Sequence, residues 1–172
     1  MSDEIRIASV IDDSIVDGPG IRMAIFFQGC AHGCVGCFNQ ETRDFNGGHL
    51  CEISKIYDAA LKNPLLNGIT LSGGDPIYQV NGALKLVKLF KNTSLDIMVY
   101  TGFTYEELLE MEKNNEDLQA FLDNIDYLVD GRFDISKKDI SLKFRGSSNQ
   151  RIIDMKKTRK ERKIIETDFS DY

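Results

Sequence analysis

Read for the spacing of its apolar positions, the chain alternates short apolar runs with longer amphipathic stretches. Residues 5–11 (IRIASVI) and 23–27 (MAIFF) are strand-like, and the cluster Asp17-Gly18-Pro19-Gly20 between them is a turn. Residues 53–61 carry Ile53, Ile56, Tyr57, Ala60 and Leu61 at the spacing of one helical face, with Pro64 shortly beyond, so a helix ends before that proline. Residues 68–71 (GITL) form a short buried strand. Residues 80–90 place Ala83, Leu84, Val87 and Phe90 on a helical stripe, and residues 96–100 (DIMVY) are again strand-like. Thr104 with Glu107 three positions later is a capping box that opens a helix through Leu108 and Leu109. A further helical piece covers residues 115–125, and residues 127–129 (YLV) form a last buried strand that runs into Asp130-Gly131-Arg132.

Strand–helix units of this length imply a parallel sheet with right-handed crossovers, and function on the loops at the strand C-terminal ends. The units are too few for a closed barrel. The predicted fold is therefore α/β, an incomplete, open TIM-like β/α barrel over residues 1–154, followed by a charged C-terminal tail over residues 155–172. Four chemically unusual loops fall on the predicted rim: residues 29–39, Ser72-Gly73-Gly74-Asp75-Pro76, Thr101-Gly102-Phe103 and Asp130-Gly131-Arg132. An active site is the reading that accounts for all four together.

Composition narrows the class. A chain of 172 residues buries a core as one domain without staples. Its 21 Lys and Arg against 27 Asp and Glu give a net charge of −6, which argues against general binding to nucleic acid or to an anionic membrane. No apolar run is long enough to span a bilayer, and the first six residues (MSDEIR) are acidic where a signal peptide is basic and then apolar, so a cytoplasmic protein is expected. The 4 cysteines are clustered, which suits a reducing compartment and a metal better than a disulfide framework.

Three of them, Cys30, Cys34 and Cys37 in GCAHGCVGCFN, have the spacing C-x3-C-x2-C. Three thiolates on one short loop hold an iron–sulfur cluster by three corners and leave the fourth iron open. Sites that do chemistry keep such a position, whereas structural sites close their shell. Two plainer readings are a zinc knuckle, with His32 or His49 completing the set, and a redox thiol pair. Cys51, close to a predicted helix start, reads as a small packed residue. The glycine pair after the 68–71 strand lets a ligand approach the backbone and offers N–H groups, although two glycines also make an ordinary tight turn. Asp130-Gly131-Arg132 likewise reads as a turn with a solvated ion pair. The basic cluster Lys156, Lys157, Arg159, Lys160, Arg162 and Lys163 reads as a solvated tail, or as a docking strip for an acidic patch. It has no interleaved aromatics of the kind that bind nucleic acid. Residues 136–141 (SKKDIS) read as a mobile loop near a partner surface.

These motifs carry a family resemblance. The cysteine loop followed by a glycine-pair loop resembles the radical S-adenosylmethionine superfamily, and Asp17-Gly18-Pro19-Gly20-Ile21-Arg22 is similar to the signature of enzymes that activate glycyl radical enzymes. Within that group, Gly36-Cys37-Phe38-Asn39, Thr101-Gly102-Phe103-Thr104 and residues 144–151 (FRGSSNQR) resemble the activators of anaerobic ribonucleoside-triphosphate reductases. The resemblance runs from about residue 5 to 154. It departs from many superfamily members in having Gly36, not an aromatic, before the third cysteine, with Phe38 just after it.

The resemblance implies that Cys30, Cys34 and Cys37 hold a [4Fe-4S] cluster whose open iron is chelated by S-adenosylmethionine. Reductive cleavage then gives methionine and a 5′-deoxyadenosyl radical, which takes a hydrogen from a glycine of the reductase. It further implies that Gly73, Gly74 and Asp75 receive the methionine amino end, that Gly36, Cys37 and Phe38 lie beside the cofactor, and that Asp130 and Arg132 contribute from the later loop, Arg132 toward the carboxylate. Asp17 matches an acidic position that helps hold a monovalent cation beside the cofactor in related activators, a cation that Asp130 would share. The expected partners are the reductase and an electron donor such as flavodoxin or ferredoxin. The alternatives are an activator of another glycyl radical enzyme such as a formate lyase, a radical enzyme acting on a small molecule, and a non-catalytic iron–sulfur or zinc binding module.

Overall fold

The computed structural model describes residues 3–170. Glu4–Ser14 (β1) and Arg22–Phe27 (β2) are antiparallel, and β1 pairs on its other side with His49–Glu52 (β3). From β2 the sheet continues in parallel through Gly68–Gly73 (β4), Asp96–Tyr100 (β5) and Tyr127–Asp130 (β6), and it ends with the antiparallel Arg151–Asp154 (β7). The order β3-β1-β2-β4-β5-β6-β7 is an open sheet whose four central parallel strands are the partial barrel that the repeated units predict.

Helices fill each parallel crossover: Ile53–Leu61 (α1) before β4, Val80–Leu89 (α2) before β5, and Tyr105–Glu112 (α3) with Glu116–Asp123 (α4) before β6. They form because their apolar positions repeat at helical spacing, and they start where a side chain accepts a free N–H. Thr104 and Glu107 form the capping box of α3, and Asn115 accepts from the Leu118 N–H at the start of α4. Successive strand residues point to opposite faces. Ile25, Phe27, Ile69, Leu71, Ile97 and Val99 therefore enter the main core with Leu86, Leu108 and Phe121 of the helices. The other face carries a smaller cluster of Met98, Val129 and Ile152, flanked by Tyr100 and Phe144.

Two short strands and one helix were not predicted. His49–Glu52 is an exposed edge strand held by its register with β1, and Cys51 within it is half-buried against the core, as a small packed residue. The segment expected as a charged tail begins instead with Met155–Glu161 (α5), capped by Asp154, with Met155 and Thr158 buried. Two of its basic residues are paired across the fold: Arg159 meets Glu112 at 3.0 Å and Asp123 at 3.2 Å, and Lys156 meets Asp126 at 2.7 Å. Those carboxylates come from α3, α4 and the turn before β6, so the neutralisation is invisible in the linear charge pattern. Residues 165–167 then hydrogen-bond along the outer edge of β7. In the 136–141 region, Ile135–Lys137 is a 3-10 turn and Lys138 pairs with Ser147. No helix among the described residues is long and apolar enough to cross a membrane.

Candidate active site

The C-terminal ends of β2, β4, β5 and β6 lead into the four loops expected on the rim, and these surround one cleft of ≈ 560 Å³. The cysteine loop leaves β2 through Gly29, whose φ of +109° favours glycine and whose backbone donates to the Thr42 carbonyl at 2.7 Å. Cys30 N–H donates to the Arg43 carbonyl, and the Arg43 guanidinium donates back to the Cys34 carbonyl. The loop is thus tied to the following turn at both ends. Cys30, Cys34 and Cys37 are half-buried and all line the cleft. Burial pushes the Cys30 thiol above its ordinary value, so a metal there replaces a firmly held proton.

His32 and Asp75 fix this loop to its neighbours. The imidazole, 4% exposed, donates through Nε2 to Asp75 Oδ2 at 2.7 Å and packs edge-on against Phe103. Asp75 is fully buried; it also accepts from Thr101 Oγ1 at 2.8 Å, from the Gly102 N–H at 2.9 Å and from the Ile77 N–H at 3.0 Å. One carboxylate therefore binds three rim loops together. Asp75 was expected to pair with a ligand ammonium; here its oxygens accept from these internal donors, and it is not among the residues lining the cleft. It also leaves His32 ill placed to close a zinc site, and His49 is in β3 against Ile7, on the far side of β1 from β2. Among the described residues no three His, Cys, Asp or Glu side chains converge as ligands of one ion.

The glycine pair stands where expected. Gly73 and Gly74 line the cleft, Gly74 donates to the Phe27 carbonyl at 2.7 Å, and a Cβ at Gly74 would come within 2.4 Å of the Gly29 carbonyl oxygen. Close packing against the cysteine loop, as well as access for a ligand, thus requires glycine there. Phe38 lines the cleft with its ring tilted against Phe133 at 5.1 Å, and Lys138 lies over it at 5.4 Å. Gly36 faces Ile135 and is not part of the wall.

The later loop departs from expectation. Asp130 is buried and points to Arg151, and it also accepts from the Tyr105 N–H at 2.8 Å. Arg132 pairs with Glu107 at 3.2 Å and lies 5.9 Å from the Phe103 ring centre. Neither lines the cleft, because each has a nearer opposite charge.

On the inner face, Arg22 is fully buried. It donates to Thr70 Oγ1 at 2.8 Å, to the Pro19 carbonyl at 3.1 Å and to Asp96 Oδ1 at 2.5 Å. Thr70 in turn donates to the Asp17 carbonyl at 2.7 Å. The Asp17-Gly18-Pro19-Gly20 turn is thereby seated on a buried guanidinium, and the Asp17 carboxylate reaches the cleft, accepting from Ser14 at 2.5 Å. A Cβ at Gly68 would meet that guanidinium at 2.5 Å, which accounts for the glycine opening β4.

Further wall comes from Tyr100, Phe133, Phe144, Arg145, Gly146 and Gln150, of which Phe133 and Gly146 pack against Phe38 of the cysteine loop. Sequence reading used residues 144–151 as a family signature and assigned no residue in them to the site. A local signal was available: a guanidinium between an aromatic and a glycine, in a segment ending in polar residues that fold back on their own backbone.

Residues 16–153 match the family model described as a 4Fe-4S single cluster domain. The anaerobic ribonucleoside-triphosphate reductase-activating protein of Vibrio cholerae is 40% identical over 144 residues, covering 79% of this chain and 89% of that protein. The protein of the same name from Escherichia coli K12 is 40% identical over 146 residues, covering 79% and 90%. Among solved structures, the crystal structure of QueE from Escherichia coli aligns with a TM-score of 0.46 at 14% identity, over 59% of this chain and 54% of that one.

Proposed function

The chain belongs to the family of anaerobic ribonucleoside-triphosphate reductase-activating proteins, and from that membership we propose that it activates such a reductase by reductive cleavage of S-adenosylmethionine, leaving a glycyl radical on the reductase. It is thereby a radical S-adenosylmethionine enzyme of the oxidoreductase class. The observation that carries this reading is the meeting of three half-buried thiols with the Gly73–Gly74 backbone at one open cleft.

The donor set fits a [4Fe-4S] cluster: three cysteine sulfurs at one cleft suit a site in which each thiolate takes its own iron. The volume is within the range of cofactor pockets. Cys30, Cys34 and Cys37 would hold the cluster, and Gly73 and Gly74 would present backbone to the amino end of S-adenosylmethionine. Phe38 and Phe133 offer aromatic surface for the adenine. When bound, the cluster and S-adenosylmethionine together supply the one-electron cleavage and the abstraction of hydrogen from glycine. The chain contributes position and the exclusion of water. Asp75, Asp130 and Arg132 act from behind the wall, holding the loops that form it. For a monovalent cation, Asp17 remains at the cleft while Asp130 is committed to Arg151. The electron donor would be a small low-potential protein such as flavodoxin or ferredoxin, in the cytoplasm, and the reductase would close the cleft by inserting its glycine loop.

The test is direct. Reduced, cluster-loaded protein incubated without oxygen with S-adenosylmethionine and an anaerobic ribonucleotide reductase should yield 5′-deoxyadenosine, methionine and a glycyl radical signal. A reductase with its target glycine changed to alanine should give none. A radical formed on a formate lyase and not on the reductase would reassign the partner.

A further inference from the structure

The cleft has one fixed positive charge in its wall, and neither the family signature nor the loop motifs assigned it a task. Arg145 lines the cleft together with the three cysteines. Its Nη1 donates to the Gln150 carbonyl at 2.9 Å, while its Nε is buried with no hydrogen-bond partner. Among the described residues one other side-chain nitrogen is buried in that condition, Arg159 Nε, and that guanidinium is already paired with Glu112. The arginines nearest in the later loops are likewise satisfied: Arg132 by Glu107, and Arg151 by Asp130 and Glu106. No ion pair within 4 Å among the described residues includes Arg145, although the charges of Asp139 and Asp168 act on it from farther off.

The segment is built to hold that guanidinium in place. Among the described residues Phe144 is one of three non-glycine residues with positive φ, at +58°, and its carbonyl is pinned by the Tyr100 hydroxyl at 2.6 Å. The Gln150 side chain accepts from the Gly146 and Ser147 N–H groups, at 2.9 and 3.2 Å, and donates to the Gly131 carbonyl at 3.0 Å. Such a backbone persists only where its surroundings over-determine it, and it is found where a side chain must be aimed. A guanidinium with a free Nε–H presents one limb of the fork that takes a carboxylate through two parallel bonds.

We propose that Arg145 binds the carboxylate of the amino-acid end of S-adenosylmethionine, the role that the resemblance gives to Arg132. This rests on the activase reading above. The chemistry sought is a carboxylate at a cleft whose three cysteines would hold the cluster. An aspartate or glutamate of the incoming reductase could supply the same group, so the experiment separates the two sources.

Binding of labelled S-adenosylmethionine to cluster-loaded protein is measured by equilibrium dialysis for wild type, Arg145→Ala, Arg145→Gln and Arg145→Lys, beside 5′-deoxyadenosine, which lacks the amino-acid end. Iron and sulfide content checks each variant. Loss of a charge-assisted bond should weaken S-adenosylmethionine by about tenfold or more in the alanine and glutamine variants. Lysine should recover part of the affinity, and 5′-deoxyadenosine should bind all four alike. Unchanged S-adenosylmethionine affinity in Arg145→Gln overturns the assignment, as does an equal loss for both ligands, which would mark a structural role. Binding of the reductase to the same variants is measured in parallel, and its weakening with intact S-adenosylmethionine affinity would overturn the assignment in favour of the partner's carboxylate. Wild type that carries the cluster and binds no S-adenosylmethionine would sink the activase reading itself, a different result from any of these.

Discussion

On the helix-covered face of the sheet the strands present Ile25, Phe27, Ile69, Leu71, Ile97 and Val99, all fully or nearly fully buried. On the opposite face the same strands present Arg22, Thr70, Ser72, Asp96 and Tyr100, and the cleft opens against Ser72 and Tyr100. One face is held by area removed from water, which is forgiving of which apolar residue supplies it. The other adds to a small apolar cluster of Met98, Val129 and Ile152 a set of directed bonds to a few charged groups, which tolerate little substitution. Burial on both faces therefore does not mean the same chemistry on both. The apolar face secures the strands, and the polar face gives their loop ends fixed positions around a cavity.

The contrast is sharpest at the cysteines. Changing Cys30, Cys34 or Cys37 to alanine should abolish the cluster in iron, sulfide and electron paramagnetic resonance measurements, with a denaturation midpoint close to that of the metal-free wild type. Cys51→Ala, in the edge strand, should keep the cluster; if it did not, the three-ligand reading would fail. On the helix side, Phe121→Ala should cost about 3–5 kcal/mol in chemical denaturation, the usual range for deleting a buried ring, since Phe121 is fully buried. Its S-adenosylmethionine affinity should be unchanged wherever the variant is folded.

Asp96→Ala probes the polar face for stability. Removing the partner of a fully buried guanidinium should cost about 3 kcal/mol, toward the low end because the Asp96 side chain is 35% exposed and water can replace part of it. It should also loosen the Asp17 turn, visible as weakened binding, unlike Phe121→Ala. Equal behaviour of the two variants would erase the distinction between the faces.

The smallest effect is expected at the α3 cap. Thr104→Ala should cost about 1 kcal/mol. The backbone N–H of Thr104, followed by Arg132, holds the Glu107 carboxyl below its ordinary value. A carboxyl depressed on folding stabilises above its unfolded pKa, and that contribution is lost as pH falls through its folded one. The wild-type advantage over Glu107→Gln should therefore shrink on acidification through and below the ordinary carboxylate range, as read from denaturation midpoints.

Much of this was legible in the sequence because the central elements carry strong periodicity: α1 was predicted at its observed bounds, and the Thr104–Glu107 capping box was readable from four residues. The edge elements were not legible. His49–Glu52 and Arg151–Asp154 have four residues each and owe their strand form to register with β1 and β6. The helix Met155–Glu161 is polar, and its ion-pair partners on α3, α4 and the turn before β6 lie thirty or more residues away. At the site, residue types fixed the cysteines and glycines, but not which way the acids would turn. Asp75 and Asp130 differ from free ligands only through neighbours that folding brings to them: His32 and Thr101 for one, Arg151 for the other.

Because one buried carboxylate clamps the loops after β2, β4 and β5 through His32, Thr101 and the Gly102 N–H, the cysteine loop owes part of its loss of backbone freedom to bonds within the chain. The mould for an inorganic centre is then cast by protein side chains as well as by the centre it receives.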